Sequence, residues 1–160
     1  MRPDRFRDYA LDAYRAAPGI AAAELWADGT RRPFGIKVSL AGGAQIWQAI
    51  TAQARPGANP AEPERPEEGE VPDMPAVPTP AGPGPVALAL VEQMLAGALV
   101  SAGSREIARA YTYSAERQGA ANPGVGVHFH SGARVFAPFV HALRPGERAP
   151  GREYDLPDAV

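Results

Sequence analysis

The chain of 160 residues carries a formal net charge of −2 and no cysteine. It is long enough for one domain with a real core or two very small ones. The absence of cysteine excludes disulfides, cysteine-ligated zinc and thiol catalysis, and a near-neutral balance gives no general field for nucleic acid. The longest apolar run, Val86 to Val100, holds Glu92 and Gln93 and is too short to cross a bilayer. The start, Met1-Arg2-Pro3-Asp4-Arg5, lacks the apolar stretch of a secretory signal. The expectation is therefore a cytoplasmic protein with no membrane partner. Lys37 stands alone against fifteen arginines, amid abundant alanine, glycine and proline. We read this as the coding bias of a high-GC, actinobacterial genome.

In chain order, the first predicted element is a helix over 3–16. Pro3 occupies the first turn, where a missing N–H costs little, and Asp4 and Asp8 suit the positive end of the helix dipole. Phe6, Ala10, Ala13 and Ala17 form one stripe beside Tyr9 and Tyr14, and Pro18-Gly19 ends it. Arg2, Arg5, Arg7 and Arg15 alternate with Asp4, Asp8 and Asp12, which reads as a solvated face laced with pairs. Strands are predicted over 20–26, 34–41 and 44–54, with turns at Asp28-Gly29 and Gly42-Gly43. Residues 55–84 are dense in proline, glutamate and glycine, with six carboxylates against two arginines. They read as an extended linker, either a plain spacer or a docking strand for a partner. Beyond it come a helix over 85–101, strands over 105–115, 124–130 and 133–143, and a polar tail over 144–160.

The second half repeats the first. Gly35–Gly57 and Gly124–Gly146 align without a gap, and Gly35/Gly124, Val38/Val127, Gly43/Gly132, Ala44/Ala133 and Arg55-Pro56-Gly57/Arg144-Pro145-Gly146 are identical. Ile20–Trp26 likewise lies over Ile107–Tyr113. The predicted fold class is α+β: an internal duplication of an α-β-β-β unit, with mostly antiparallel sheet, helices on one face and a pseudo-two-fold. The units are 1–54 and 85–143, forming one domain, with 55–84 between them. A helix on three strands has a small core and a free edge, so two copies are expected to share an interior or a sheet. In the second helix Val86, Leu88, Leu90, Val91, Met94, Leu95, Leu99 and Val100 surround the axis rather than striping it. It must pack centrally, or offer Leu88, Val91, Leu95 and Leu99 to a second copy.

Parity assigns the sheet faces. Val125, Val127 and Phe129 share a face with Ala133, Val135, Ala137 and Phe139 only if the loop between them is odd. His130-Ser131-Gly132, and Ala41-Gly42-Gly43 in the first half, fit three-residue turns. The buried set of the first half is then Ile36, Val38, Leu40, Ile46 and Ile50, with Gln48 a poor member. The opposite face shows Lys37, Ser39, Gln45, Trp47 and Thr51 in one half, and His128, Arg134, Phe136 and Val140 in the other. Trp47 and Phe136 occupy matching positions, each near a cation. Such a face stacks single-stranded bases in some proteins and forms hot spots in others; it is equally open to being covered within the chain.

Candidate chemistry is thin. His128 and His130 stand at i and i+2, with His141 on the next strand, a weak match to a zinc, nickel or copper site. Gly124-Val125-Gly126 opens a strand rather than a helix, so it is no phosphate loop, and no G-x-S-x-G is present. The leading expectation is a non-enzymatic interaction or assembly protein without cofactor. It would bind a protein partner, or itself, through Trp47, Phe136, Lys37, Gln45, Arg134 and His128 or through the second helix. Single-stranded nucleic-acid binding on the same face is the alternative, and a metal-dependent enzyme at His128, His130 and His141 the third.

Overall fold

A computed structural model describes residues 1–59, 61–73, 79–80, 84–116 and 122–160. The chain is α+β. Helix α1 (Pro3–Ala16) starts at its proline and stops where the Ala17 N–H turns back to Tyr14 O. Strands β1 (Ile20–Asp28), β2 (Arg32–Leu40), β3 (Gln45–Ala49) and β4 (Thr51–Gln53) follow. After the linker come α2 (Leu88–Ser101), β5 (Ile107–Thr112), the single turn α3 (Tyr113–Glu116), β6 (Gly124–Phe129) and β7 (Arg134–Leu143). The strand predicted over 44–54 is two. Ile50 N–H still bonds Phe34 O of β2 at 2.9 Å, while Thr51–Gln53 continue against β7. The one predicted over 105–115 stops at Thr112, where α3 begins.

All strands join one seven-stranded antiparallel sheet in the order β1-β2-β3-β7-β6-β5, with β4 also on β7. β1–β2 is interrupted just after its first pair, between Ile20 and Ala22, and β5–β6 between Ile107 and Arg109. Gly35↔Ala49 to Ser39↔Gln45 is the next ladder in one half, and Gly124↔Pro138 to His128↔Arg134 in the other. Both hairpins are the three-residue turns that parity required. Leu40 N–H donates to Ala44 O at 2.8 Å and Phe129 N–H to Ala133 O at 3.0 Å. Gly43 and Gly132 take φ of +90° and +81°, which L side chains rarely adopt.

Both helices pack on one face, and the odd loops deliver the predicted alternation into that core. Ile36, Val38, Leu40, Ile46 and Ile50 are buried with Val125, Val127, Phe129, Ala133, Val135, Ala137 and Phe139. Helix α2 is the centre: Leu88, Val91, Leu95 and Leu99 are all inside, and Tyr9 Oη donates to Leu99 O at 2.5 Å. A helix apolar on every side is thus covered within the chain. Gln48 is buried too; its amide reaches Ala137 O at 3.5 Å, and it bonds the Tyr14 hydroxyl, whose pKa burial raises. Glu92 is fully buried, its Oε1 accepting from Gly124 N–H at 2.6 Å and Ser114 N–H at 3.3 Å.

The tail is fastened at several points. Val160 N–H donates to Val86 O at 2.8 Å, Ala87 and Ala159 form an antiparallel bridge, and Tyr154 N–H donates to Val140 O at 2.8 Å. Glu153 bridges Arg31 at 2.8 Å and Arg32 at 2.6 Å, and this contact holds the carboxyl below its ordinary pKa. The described part of the linker is fastened as well: Glu64 meets the Met1 amino group at 2.9 Å and Arg5 at 3.2 Å, and Glu67 meets Arg55 at 2.6 Å. Only Arg15 takes a helix-face pair of the expected spacing, with Asp12; Arg7 pairs with its neighbour Asp8, and Arg5 pairs with Glu106 as well as with Glu64 of the linker. Among the described residues no helix is long and apolar enough to cross a membrane.

Candidate binding face

The helix-free face is set by strand alternation. In the first half the ladders align Lys37, Trp47 and His141 across β2, β3 and β7. Lys37 Nζ lies 5.4 Å from the Trp47 ring centre and 3.7 Å from Glu24. The His141 ring takes Trp26 and Trp47 edge-on at 6.4 and 6.1 Å. Gly35 makes room for Trp26: a Cβ there would stand 2.6 Å from the indole and equally close to Gln48 O. This cluster is packed, not open. Trp47 is only 9% exposed, and Ala49, Val140 and Leu143 are buried with it yet lie outside the main core. Val140, expected on the open face, falls at the register shift of β7, between the residues that oppose Trp47 and Gln48. Its carbonyl receives the tail. Gln45 is half-buried opposite Leu143.

The second half is more open. Gly126 sits between Tyr111 of β5 and Phe136 of β7, and the Tyr111 ring occupies the place of its missing side chain. His128 is paired across to Arg109 on one side and Arg134 on the other. The Tyr111 ring meets His128 edge-on at 5.3 Å and tilts against Tyr113 at 6.0 Å. The Arg109 guanidinium stands 5.4 Å from the Tyr111 ring centre and pairs with Glu116. Phe136, Tyr111 and His128 are half-buried, whereas Arg109 and Arg134 are exposed. Arg134 makes no ion pair among the described residues.

Electrostatics follow from this packing. Burial, then Arg134 and Arg109, hold the His128 pKa below its ordinary value, so the ring is neutral at pH 7. Burial, then the Glu116 carboxylate, raises the Tyr111 hydroxyl. Tyr113 is raised further by burial, while its bond to the Ala137 backbone opposes the shift. The face is thus an uncharged aromatic centre flanked by two guanidinium groups, one of them neutralised.

The three histidines stand apart. His128 lies against Tyr111, and His141 between two tryptophans with Nδ1 buried and unpartnered. His130 turns to the linker, its Nε2 at 3.0 Å from Glu70 O. No group of three or more His, Cys, Asp or Glu able to hold a metal exists among the described residues. Sequence reasoning passed over Trp26, Arg109, Tyr111 and Tyr113. The alternation Arg109, Tyr111, Tyr113 along β5 was the available signal. No protein-family model matches the chain, and neither a curated protein nor a solved structure matches it significantly.

Proposed function

We propose that this chain is a non-enzymatic interaction module, built by duplication of an α-β-β-β unit, that binds a protein partner through the helix-free face of its second half. One observation carries the proposal: Tyr111 and Phe136 flank Gly126 on that face, with His128 beside them and Arg134, which has no ion pair among the described residues. Aromatic and arginine side chains clustered on an open face are the composition of interface hot spots. Lys37, Trp47 and Gln45 belong to the packed cluster of the first half and fall outside this face. Leu88, Val91, Leu95 and Leu99 serve the core, which favours a separate partner over self-association through α2.

Duplication is supported by the shared hydrogen-bond pattern. Ile50 N–H bonds Phe34 O as Phe139 N–H bonds Pro123 O, and Ala58 N–H bonds Arg55 O as Glu147 N–H bonds Arg144 O. The order β1-β2-β3-β7-β6-β5 is what a two-fold between β3 and β7 would produce. A cysteine-free, arginine-rich composition suits a reducing cytoplasm and an actinobacterial genome. Against nucleic acid as ligand stand the neutralised Arg109 and the net charge of −2.

Quantitative affinity capture tests the proposal, comparing the natural chain with Phe136→Ala and Arg134→Ala. Loss of a stoichiometric partner in both variants, with retention of fold by circular dichroism, is the expected result. Unchanged partners would remove the face from consideration. A salt titration against single-stranded oligonucleotides should show no specific binding; a steep salt slope would turn the assignment to nucleic acid.

A further inference from the structure

We propose that Arg5, Arg55, Arg105 and His130 form a receptor strip for an extended acidic peptide of a partner protein, and that residues 62–70 of this chain occupy it in cis. The strip is distinct from the aromatic face. It is assembled from the start of α1, the segment after β4, the approach to β5 and the β6–β7 turn, which only the fold brings together. Across it runs Glu62-Pro63-Glu64-Arg65-Pro66-Glu67-Glu68-Gly69-Glu70. Glu64 meets Arg5, which also pairs with Glu106 of the strip itself, at 3.2 Å; Glu67 meets Arg55 at 2.6 Å and Glu68 meets Arg105 at 3.9 Å.

Charge is not the whole of the fit. Gly69 N–H donates to Arg105 O at 2.8 Å, Arg105 Nε donates to Gly69 O at 3.4 Å, and His130 Nε2 donates to Glu70 O at 3.0 Å. These backbone bonds fix a register. A Cβ at position 69 would stand 2.6 Å from His130 Nδ1, so a side chain there would push the exposed imidazole away from Glu70 O. Pro63 and Pro66 favour an extended chain and lower the ordering cost. Glu62, Pro63, Glu64 and Arg65 line one side of an open cavity of about 370 Å³ that Gln53, Ser131 and Ala133 also line. The cis segment therefore leaves space that a different acidic peptide can fill.

Displacement is within reach because the contacts are largely exposed ion pairs, individually weak and screened by salt. A tethered segment competes with an effective concentration on the order of millimolar. A partner that adds contacts in the cavity surpasses it.

The probe is a labelled synthetic peptide of residues 61–71, added to the full chain carrying Glu64→Gln, Glu67→Gln and Glu68→Gln, with fold checked by circular dichroism. Saturable binding is expected, at least about tenfold tighter than to the natural chain, whose own segment competes. Arg105→Ala in the neutralised chain should weaken it several-fold, as should high salt and Gly69→Ala in the peptide. In the natural chain, millimolar peptide should shift the amide resonances of Arg105 and His130. No saturable binding to the neutralised chain with no shifts in the natural one, or binding indifferent to Arg105, overturns the proposal. So does a concentration-dependent dimer by light scattering, which would give the strip to the segment of a second copy.

Discussion

Glu92 offers the sharpest test of how the second half is held together. Its carboxylate is fully buried, and its Oε1 accepts from Gly124 N–H at 2.6 Å and Ser114 N–H at 3.3 Å. Gly124 begins β6 and Ser114 lies in α3, so one side chain ties the strand that carries Gly126 and His128 to the turn that carries Tyr113. Glu92→Ala leaves the buried Gly124 N–H unpaired, which costs about 1–3 kcal/mol, with a smaller share for the part-buried Ser114 N–H. The lost packing adds roughly 1 kcal/mol. The net expectation is a loss of about 2–4 kcal/mol, or on the order of 5–15 °C in Tm for a chain of this size. Glu92→Gln keeps an oxygen for both donors, while Oε2, which has no partner among the described residues, becomes an amide nitrogen. That variant should stay within about 1 kcal/mol of the natural chain. Urea unfolding followed by circular dichroism measures both. If Glu92→Ala unfolds with an unchanged midpoint, or Glu92→Gln falls as far as Glu92→Ala, then acceptance of these two amides is not what the side chain supplies.

Two glycines on the same face should behave differently. A Cβ at Gly35 would stand 2.6 Å from Gln48 O, a backbone atom that cannot swing aside, so Gly35→Ala should cost about 1–3 kcal/mol by thermal melt. At Gly126 the obstacle is the far end of Tyr111, so Gly126→Ala should cost little stability but expel the ring and weaken partner capture; retained capture would discount Tyr111. The matching left-handed turns predict similar losses of about 1–2 kcal/mol for Gly43→Ala and Gly132→Ala, read from the same melts, and a large inequality would speak against equivalent halves. His128 titrates lower in the folded chain than its ordinary value of about 6.5, so the unfolded chain takes the proton first. Its contribution is therefore intact above about pH 6.5 and declines as pH falls through the folded value. His128→Asn should flatten the urea midpoint between about pH 7.5 and 5, and an unaltered profile would contradict the depressed value.

The elements were legible because periodicity and turn chemistry agree along most of the chain. Pro3 and Pro18-Gly19 bracket α1, and the odd loops at Gly43 and Gly132 fix which residues of β2, β3, β6 and β7 face the helices. Central packing of α2 was likewise readable from its uniform apolarity. The break at Ile50, the turn α3 and the register shift at Val140 were not, since each depends on which strand lies opposite. Face parity placed Trp47, Lys37, His128, Arg134 and Phe136 together, but parity says nothing of cover. Trp47 and Phe136 occupy matching rungs, Lys37↔Trp47 and Gly126↔Phe136, yet the former is packed between Lys37 and His141. Three nearby histidines in the sequence parted because His130 turns out of the strand toward Glu70 while His141 follows the shift in β7.

Site-specific photo-crosslinking tests the binding face most directly. With p-benzoylphenylalanine at position 136, and at the exposed position 89 on α2 as control, crosslinking in cells of the source organism should join a defined protein to position 136 and not to position 89. Identical products from both positions, or none at 136 while 89 reacts, would contradict a partner seated against Tyr111, Arg134 and Phe136.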